Sequence, residues 1–405
     1  MKIAFLSYEY PPETGGGGIG TYLAQLVNFM PKFGHKVVVF CGTNQKEAFW
    51  ENESVYRIPC KSISDYNHNL MSFFVPIHTQ INFDICEGTD FGACGIEILR
   101  QMPQIPFVTR AHTANFIIDQ FLFQPLKGWS KWRFILGGLK RFEIPKLPLS
   151  PIESDFLLEK EIVKTCDRVV SLSHSLAKFY LDLNWCSSYD HLPSLFEIKP
   201  EILKIEQNNK PNDALNIVFY GRLEIRKGVL EIGEAIPKIL KKYPKTIFYL
   251  IGKSANSPKS GVDMKKFLQN KLTKYQSNII FQEAFQPSEI VNILSMGDIF
   301  LIPSRYDNSP LVCYETMAAG KPVIATNNGG MAELIENNIS GFLIDPNNVD
   351  QLVEKTLKMI ESPNLRSNFG ICARKKIIEN FTAEKIINQQ INIFNNVIKN
   401  KIKTT

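Results

Sequence analysis

Short apolar runs recur along the chain. Each is followed by a polar or glycine-bearing turn and then a stretch with helical spacing. Lys2–Ser7 (KIAFLS), Val37–Phe40, Ser54–Ile58, Phe83–Glu87, Phe107–Arg110 and Arg168–Ser171 read as one set of strands. Leu215–Tyr220 (LNIVFY), Thr246–Ile251, Ile279–Gln282, Asp298–Pro303, Pro322–Thr326 and Gly341–Ile344 read as a second. Between the sets lies Glu206–Asp213 (EQNNKPND), a polar, proline-bearing linker. Strands alternating with helices predict an α/β protein with two facing, doubly wound parallel-sheet domains. The expected domains are 1–205 and 213–382. From about Ala383 the pattern is helical, with Ile387, Ile391, Phe394, Ile398 and Ile402 on one face. This helix, 383–405, is expected to cross back onto the first domain.

The densest information lies in Pro303–Gly330, PSRYDNSPLVCYETMAAGKPVIATNNGG. Ser309 reads as a helix N-cap and Pro310 as the first helical residue. Leu311–Ala319 continues the helix to Gly320, and Pro322–Thr326 is the next strand. Strand-to-helix turns lie at the carboxyl edge of such a sheet, where ligands bind. The amides of Leu311 and Val312 are then free to meet ligand oxygens. Asp307 and Glu315, eight residues apart, suit the hydroxyls of a sugar or ribose, because ionised carboxylates accept hydrogen bonds.

Other strand-to-helix turns carry chemistry of their own. Arg222 and Lys227 lie in the turn Gly221–Gly228, where two cations suit a diphosphate. His112 follows a strand directly and is placed on the sheet rim. The run Gly15–Gly18 with Gly20 formally contains Gly-x-Gly-x-x-Gly, but a long loop precedes it and no acid closes the second strand. Nicotinamide binding is excluded on that ground. Two readings stand for this run: a bare backbone that approaches a ligand phosphate, or a surface turn.

The net charge of +6 sits in the second half, residues 206–405, which carry +7 against −1 in residues 1–205. That suits a phosphate-bearing ligand, and the absence of a basic stripe interleaved with aromatics argues against nucleic acid. Eight cysteines without a Cys-x-x-Cys pair suit a reduced, cytoplasmic protein. No apolar stretch approaches a membrane span, and no signal peptide is evident. There is no Asp-x-Asp or His-Glu-x-x-His and the six histidines are scattered, so no protein-bound metal is expected.

Taken together, Pro303–Pro346 (a Glu-x7-Glu-like region, a Gly-x-Pro-Val-Ile-Ala strand and a Gly-Gly loop), Gly221-Arg222-Leu223 with Lys227-Gly228, and Gly17-Gly18-Ile19-Gly20 resemble the retaining glycosyltransferases of the GT-B glycosyltransferase family 4 group. The resemblance covers nearly the whole chain. It implies transfer of a sugar from a nucleoside diphosphate donor to an acceptor hydroxyl, with retention, and with no cofactor or metal. It implies that Glu315 binds the donor ribose, Asp307 lies near the donor sugar, and Arg222 and Lys227 hold the diphosphate. It further implies that Gly17 and Gly18 approach the phosphates, that the backbone at Ser309, Pro310 and Leu311 meets sugar hydroxyls, and that His112 lines the sugar site. Two departures stand out: Asp307 replaces the first Glu, and Leu192–Phe196 (LPSLF) replaces Asn-Gly-Val-Asp. A nucleotide-sugar epimerase of the same architecture and a noncatalytic nucleotide-sugar-binding protein are the alternatives.

Residues 124–151 hold Trp129, Trp132, Ile135, Leu136 and Leu139 on one helical arc, with six cations against the single acid Glu143. Tryptophans with lysines and arginines suit an anionic membrane surface, which would place the protein peripherally on the inner face of a membrane beside a membrane-associated acceptor. An ordinary loop and helix at the acceptor mouth is the other reading.

Overall fold

A computed structural model of the 405-residue chain describes residues 1–15, 17–122, 156–206, 214–259, 261–283 and 289–404. The 124–151 segment, and all of the 206–213 linker except Glu206, lie outside the described residues.

Among the described residues, two sheets form. The first holds β1 (Lys2–Leu6), β2 (Lys36–Thr43), β3 (Phe49–Asn52), β4 (Val55–Pro59), β5 (Ile85–Thr89), β6 (Phe107–Ala111), β7 (Arg168–Ser171) and β8 (Asp190–His191). Their order is β3-β4-β2-β1-β5-β6-β7-β8. All pairs are parallel except β3 with β4, an antiparallel edge that the apolar pattern does not reveal. β3 is mostly exposed, so no apolar run marks it.

The second sheet holds β9 (Asn216–Tyr220), β10 (Ile247–Ile251), β11 (Ile279–Gln282), β12 (Ile299–Ile302), β13 (Val323–Thr326) and β14 (Phe342–Ile344), all parallel, in the order β11-β10-β9-β12-β13-β14. β12 and β13 are buried along their whole length, as strands covered on both faces must be. From β9 the chain winds outward to β10 and β11, then returns to β12 on the other side. The reversal opens a crevice at the carboxyl ends of β9 and β12, where residues 221–228 and 303–310 emerge. In the first sheet the same reversal falls between β1 and β5.

The last helix, Ala383–Thr404, returns to the first sheet. Its Ile386, Ile387, Phe394 and Val397 are buried in one cluster with Ile3, Phe5, Leu26 and Val108, and Ile391 and Ile398 pack against it. Ile402, expected on this face, is instead 71% exposed, while the neighbouring Lys401 still pairs with Asp167 of the first half at 2.7 Å. In the opposite direction, Phe196, Ile202 and Ile205 are buried in the apolar cluster of the second sheet with Val218, Tyr220 and Phe300. The chain thus crosses between the two sheets more than once.

Glycines set how closely the loops of the second sheet approach. Gly228 has φ +76°, and a Cβ there would lie 2.0 Å from the carbonyl oxygen of Pro303. Gly330 would place a Cβ 2.0 Å from the Asn308 carbonyl oxygen. The two crevice loops are therefore seated backbone to backbone. Gly228→Ala is expected to destabilise the protein by on the order of 1–3 kcal/mol, from a strained left-handed residue and a forced backbone shift. Thermal unfolding checks this, and an unchanged Tm would contradict the packing.

Candidate active site

The turn after β9 holds three cations with different partners. Lys227 forms an ion pair with Asp307 of the turn after β12, and both side chains are mostly buried. Burial lowers the Lys227 pKa, and Asp307 opposes that shift. Burial pushes the Asp307 carboxyl up, but Lys227, Arg226 and Arg222 outweigh it and hold the group below the usual carboxylate range. Arg226 donates to the Tyr306 carbonyl at 3.1 Å and pairs with Glu224 at 2.8 Å. Arg222 keeps 62% of its side chain exposed, 3.4 Å from Glu224. The two expected diphosphate cations are therefore not equivalent. Lys227 is locked to Asp307, whereas Arg222 stands at the mouth.

Across the crevice is Glu9, in the loop after β1. Burial raises its pKa and Arg222, from the opposite sheet, lowers it. Its side chain runs beneath the glycine loop: a Cβ on Gly15 would lie 2.9 Å from the Glu9 Cγ, and one on Gly17 3.5 Å from Oε2. A Cβ on Gly18 would meet nothing within 4 Å. Local packing therefore does not require glycine at position 18. The helix Gly18–Phe29 starts here with no side-chain cap and no acid in its first turn, so its positive end is uncompensated.

The helix after Asp307 runs Leu311–Ala318, and its N-cap is Pro310, not Ser309. The expected cap is displaced by one residue, and the Ser309 hydroxyl caps nothing. The first intrahelical bond is from Cys313 N–H to the Pro310 carbonyl, 2.8 Å, so the Leu311 and Val312 amides precede the ladder. One turn on, Glu315 Oε2 accepts from the Tyr220 hydroxyl at 3.1 Å. Burial raises the Glu315 pKa to about 7, against smaller lowering effects from Tyr220 and Lys199. The Gly329–Gly330 loop holds this region from behind, through Gly330 N–H to the Asp307 carbonyl at 2.9 Å.

His112 lies just past β6, on the rim as expected. Its Nε2 is buried and has no hydrogen-bond partner among the described residues. Burial, reinforced by Arg110, lowers its pKa to about 3, so the imidazole is neutral near pH 7. Asp90, at the end of β5, fixes its backbone by accepting from the His112 amide at 2.8 Å and the Thr113 amide at 3.1 Å. Thr113 has φ +139°, an unfavourable angle for a β-branched residue, and these bonds help to hold it. Tyr180 also donates to Asp90.

Asn308 joins the halves. It is buried, and its Nδ2 donates to the carbonyl oxygens of Ala111 at 3.2 Å and His112 at 2.9 Å. Its Oδ1 accepts from the Ser173 hydroxyl at 2.5 Å. One side chain thus ties the Asp307 loop to the His112 loop. Asn308, Asp90, Glu9 and Arg226 are absent from the sequence-based set. Asp90 has the same signal as His112, a polar residue directly after a strand. Asn308 sits inside the motif stretch but carries no charge.

A carboxyl held at about 7, against a usual 4.5, favours the protonated form in the folded protein. Glu315 therefore costs no stability below pH 4.5, costs more as pH rises from 4.5 to 7, and reaches roughly 3 kcal/mol above that. Glu315→Gln is expected to raise Tm at pH 8 and leave it nearly unchanged at pH 4.5. Equal effects at both pH values would contradict the assignment.

A family profile described as Glycosyl transferases group 1 matches residues 201–376, and one described as Glycosyltransferase Family 4 matches residues 16–187. An uncharacterized glycosyltransferase of Methanocaldococcus jannaschii is 25% identical over 415 aligned residues, covering 97% of this chain and 98% of that protein. Spore coat protein SA of Bacillus subtilis is 28% identical over 181 residues, 44% of this chain, and the match spans about half (48%) of that relative's length. Among solved structures, HepE of Anabaena in complex with UDP superposes with a TM-score of 0.66 at 17% identity, over 97% of this chain and 98% of that one. With both sheets, the crevice loops and both profiles in agreement, the chain belongs to the glycosyl transferases group 1, glycosyltransferases of GT-B fold.

Proposed function

We propose that this glycosyltransferase moves a sugar from a nucleoside diphosphate donor to an acceptor hydroxyl, with retention at the anomeric carbon. The observation that carries the reading is the Lys227–Asp307 pair at the switch point, beside the uncapped start of helix Leu311–Ala318. An anionic leaving group finds two amides, one buried cation and one exposed cation within these two loops, while Asp307 remains for a sugar hydroxyl. Glu315, one helical turn further on, suits the two ribose hydroxyls. That HepE of Anabaena, which shares this fold, forms a complex with UDP supports a nucleoside diphosphate here.

In this reading the bond between the anomeric carbon and the diphosphate oxygen breaks, and its electron pair leaves with the phosphate. The acceptor oxygen attacks from the same face and its proton passes to the departing phosphate oxygen. Lys227, Arg222 and the Leu311 and Val312 amides stabilise the charge that develops there. His112, being neutral, donates or accepts a hydrogen bond at the sugar without bringing a second charge. No metal is needed in this scheme, because the cations and amides do that work. Gly17 and Gly18, with no Cβ, let the first half close on the phosphates and exclude water. Contact of residues 124–151 with an anionic membrane, next to a membrane-associated acceptor, is a further part of the proposal, resting on sequence alone.

Arg222→Ala is expected to weaken binding of free nucleoside diphosphate at least about tenfold, the equivalent of one charged hydrogen bond, with little change in Tm because the residue is exposed. Glu315→Gln is expected to weaken free diphosphate and intact donor alike, since both carry the ribose. Asp307→Asn is expected to weaken the intact donor more. Calorimetric titration of UDP and UDP-sugars measures all three, and unchanged affinity in Arg222→Ala removes the diphosphate assignment. For the membrane contact, the protein is expected to co-sediment with anionic vesicles at low salt and to release at high salt. Replacing Trp129, Lys131, Trp132 and Arg133 together is expected to abolish that binding while UDP affinity stays unchanged.

A further inference from the structure

Beside the clasp at Asn308, folding brings together two histidines that are 17 positions apart in sequence and one glutamate from the other half. His174 opens the helix His174–Asp182, His191 ends β8, and Glu333 lies on the short helix Met331–Leu334 after the Gly329–Gly330 loop. One ligating atom from each lies within 4.8 Å of the other two. His191 Nε2 and Glu333 Oε2 are 3.4 Å apart, and the two imidazole rings are 4.0 Å apart between centroids. Two ligands bound at about 2.1 Å to one tetrahedral ion are themselves about 3.4 Å apart, so one edge of such a site already exists.

The remaining polar atoms are occupied in a way that orients these three. The Tyr189 hydroxyl is 2.9 Å from His174 Nδ1, which leaves Nε2 of that ring for a ligand. Ser175 N–H donates to Glu333 Oε1 at 3.1 Å, which leaves Oε2 for the ion. His174 is exposed, so its ring can swing the small distance that closes the triangle. His191 and Glu333 also line a small cavity of about 60 Å³ between the halves, with room for a water as fourth ligand.

We infer that His174, His191 and Glu333 form a site for a first-row divalent transition metal, best matched to Zn²⁺, that bridges the two halves of the enzyme. Two imidazoles and one carboxylate, with water completing a tetrahedron, are a ligand set that Zn²⁺ favours and that Mg²⁺ and Ca²⁺ do not. The site is structural in character. His174 lies between Ser173 and Ser175, which already hydrogen-bond to Asn308 and Glu333 of the second half. A bound ion would therefore stabilise the same closed contact, with no part in the sugar-transfer scheme.

The full chain, stripped with a chelator, is titrated with Co²⁺ as the spectroscopic probe and with Zn²⁺ by calorimetry. One equivalent is expected to bind, with visible absorption of the tetrahedral kind for Co²⁺ and a rise in Tm with either ion. His174→Ala, at an exposed position, and His191→Ala are each expected to weaken binding at least about tenfold, and Glu333→Gln likewise. UDP affinity of metal-free His174→Ala is expected to match that of the metal-free parent, which reports a folded protein. No binding by the parent chain overturns the inference. So does binding that survives His174→Ala unchanged, or a Co²⁺ spectrum dominated by thiolate charge transfer, which would place the ion on cysteines.

Discussion

The contact between Asn308 and the first half is the constraint from which the site's geometry follows. The two sheets carry separate sets of loops at the crevice, each seated on its own sheet. Asn308 sits between Asp307 and Ser309 and directs both its amide hydrogens and its carbonyl oxygen at the other half, on Ala111, His112 and Ser173. Being buried, it cannot trade these partners for water without opening the crevice, and an unpaired buried amide is costly. One side chain thus joins the loop that carries His112 to the loop that carries Asp307. An aspartate at this position would set a negative charge against two carbonyl oxygens, so the amide is the chemistry the contact demands.

Behind the clasp, each loop is held by backbone packing. The carbonyl oxygens of Pro303 and Asn308 approach glycines where no Cβ fits. This is why Lys227 can be both mostly buried and paired: its loop is seated before any side chain is considered. The buried pair contributes little net stability, since desolvation offsets its attraction. Its value lies in keeping a cation inside the crevice, in a place where burial alone would favour losing the proton.

Much of this was legible in the sequence, for physical reasons that differ by element. Strands buried on both faces leave unbroken apolar runs, so β12 and β13 were plain, whereas exposed β3 was invisible. Carboxyl-edge placement needs only the strand and the turn, which is how His112, Arg222, Lys227 and Asp307 could be placed at the rim, with Glu315 on the helix that follows. What the sequence could not supply was pairing. The spacing of Arg222 and Lys227 says two cations in one turn, but not that one would be claimed by Asp307 and the other left in solvent. Nor does spacing relate His174 to Glu333, 159 positions away, since only the folded contact between the halves defines that neighbourhood.

The C-terminal helix shows how far support for the site extends. Its Gln390 is buried and donates to the Tyr22 hydroxyl at 2.8 Å and to Glu87 at 3.1 Å, while Tyr22 itself donates to Glu87 at 2.8 Å. The Arg110 guanidinium lies 4.9 Å over the Tyr22 ring, and that ring meets His112 edge-on at 5.3 Å between centroids. Glu87 is fully buried, and burial raises its pKa while Arg110 lowers it. A buried carboxyl in that setting is tolerated only if its own hydrogen-bonding sites are filled, and the last helix fills one of them. The helix is thus more than an apolar cover for the first sheet. It completes the polar layer on which the His112 ring rests, so the end of the chain and the rim of β6 form one structural unit.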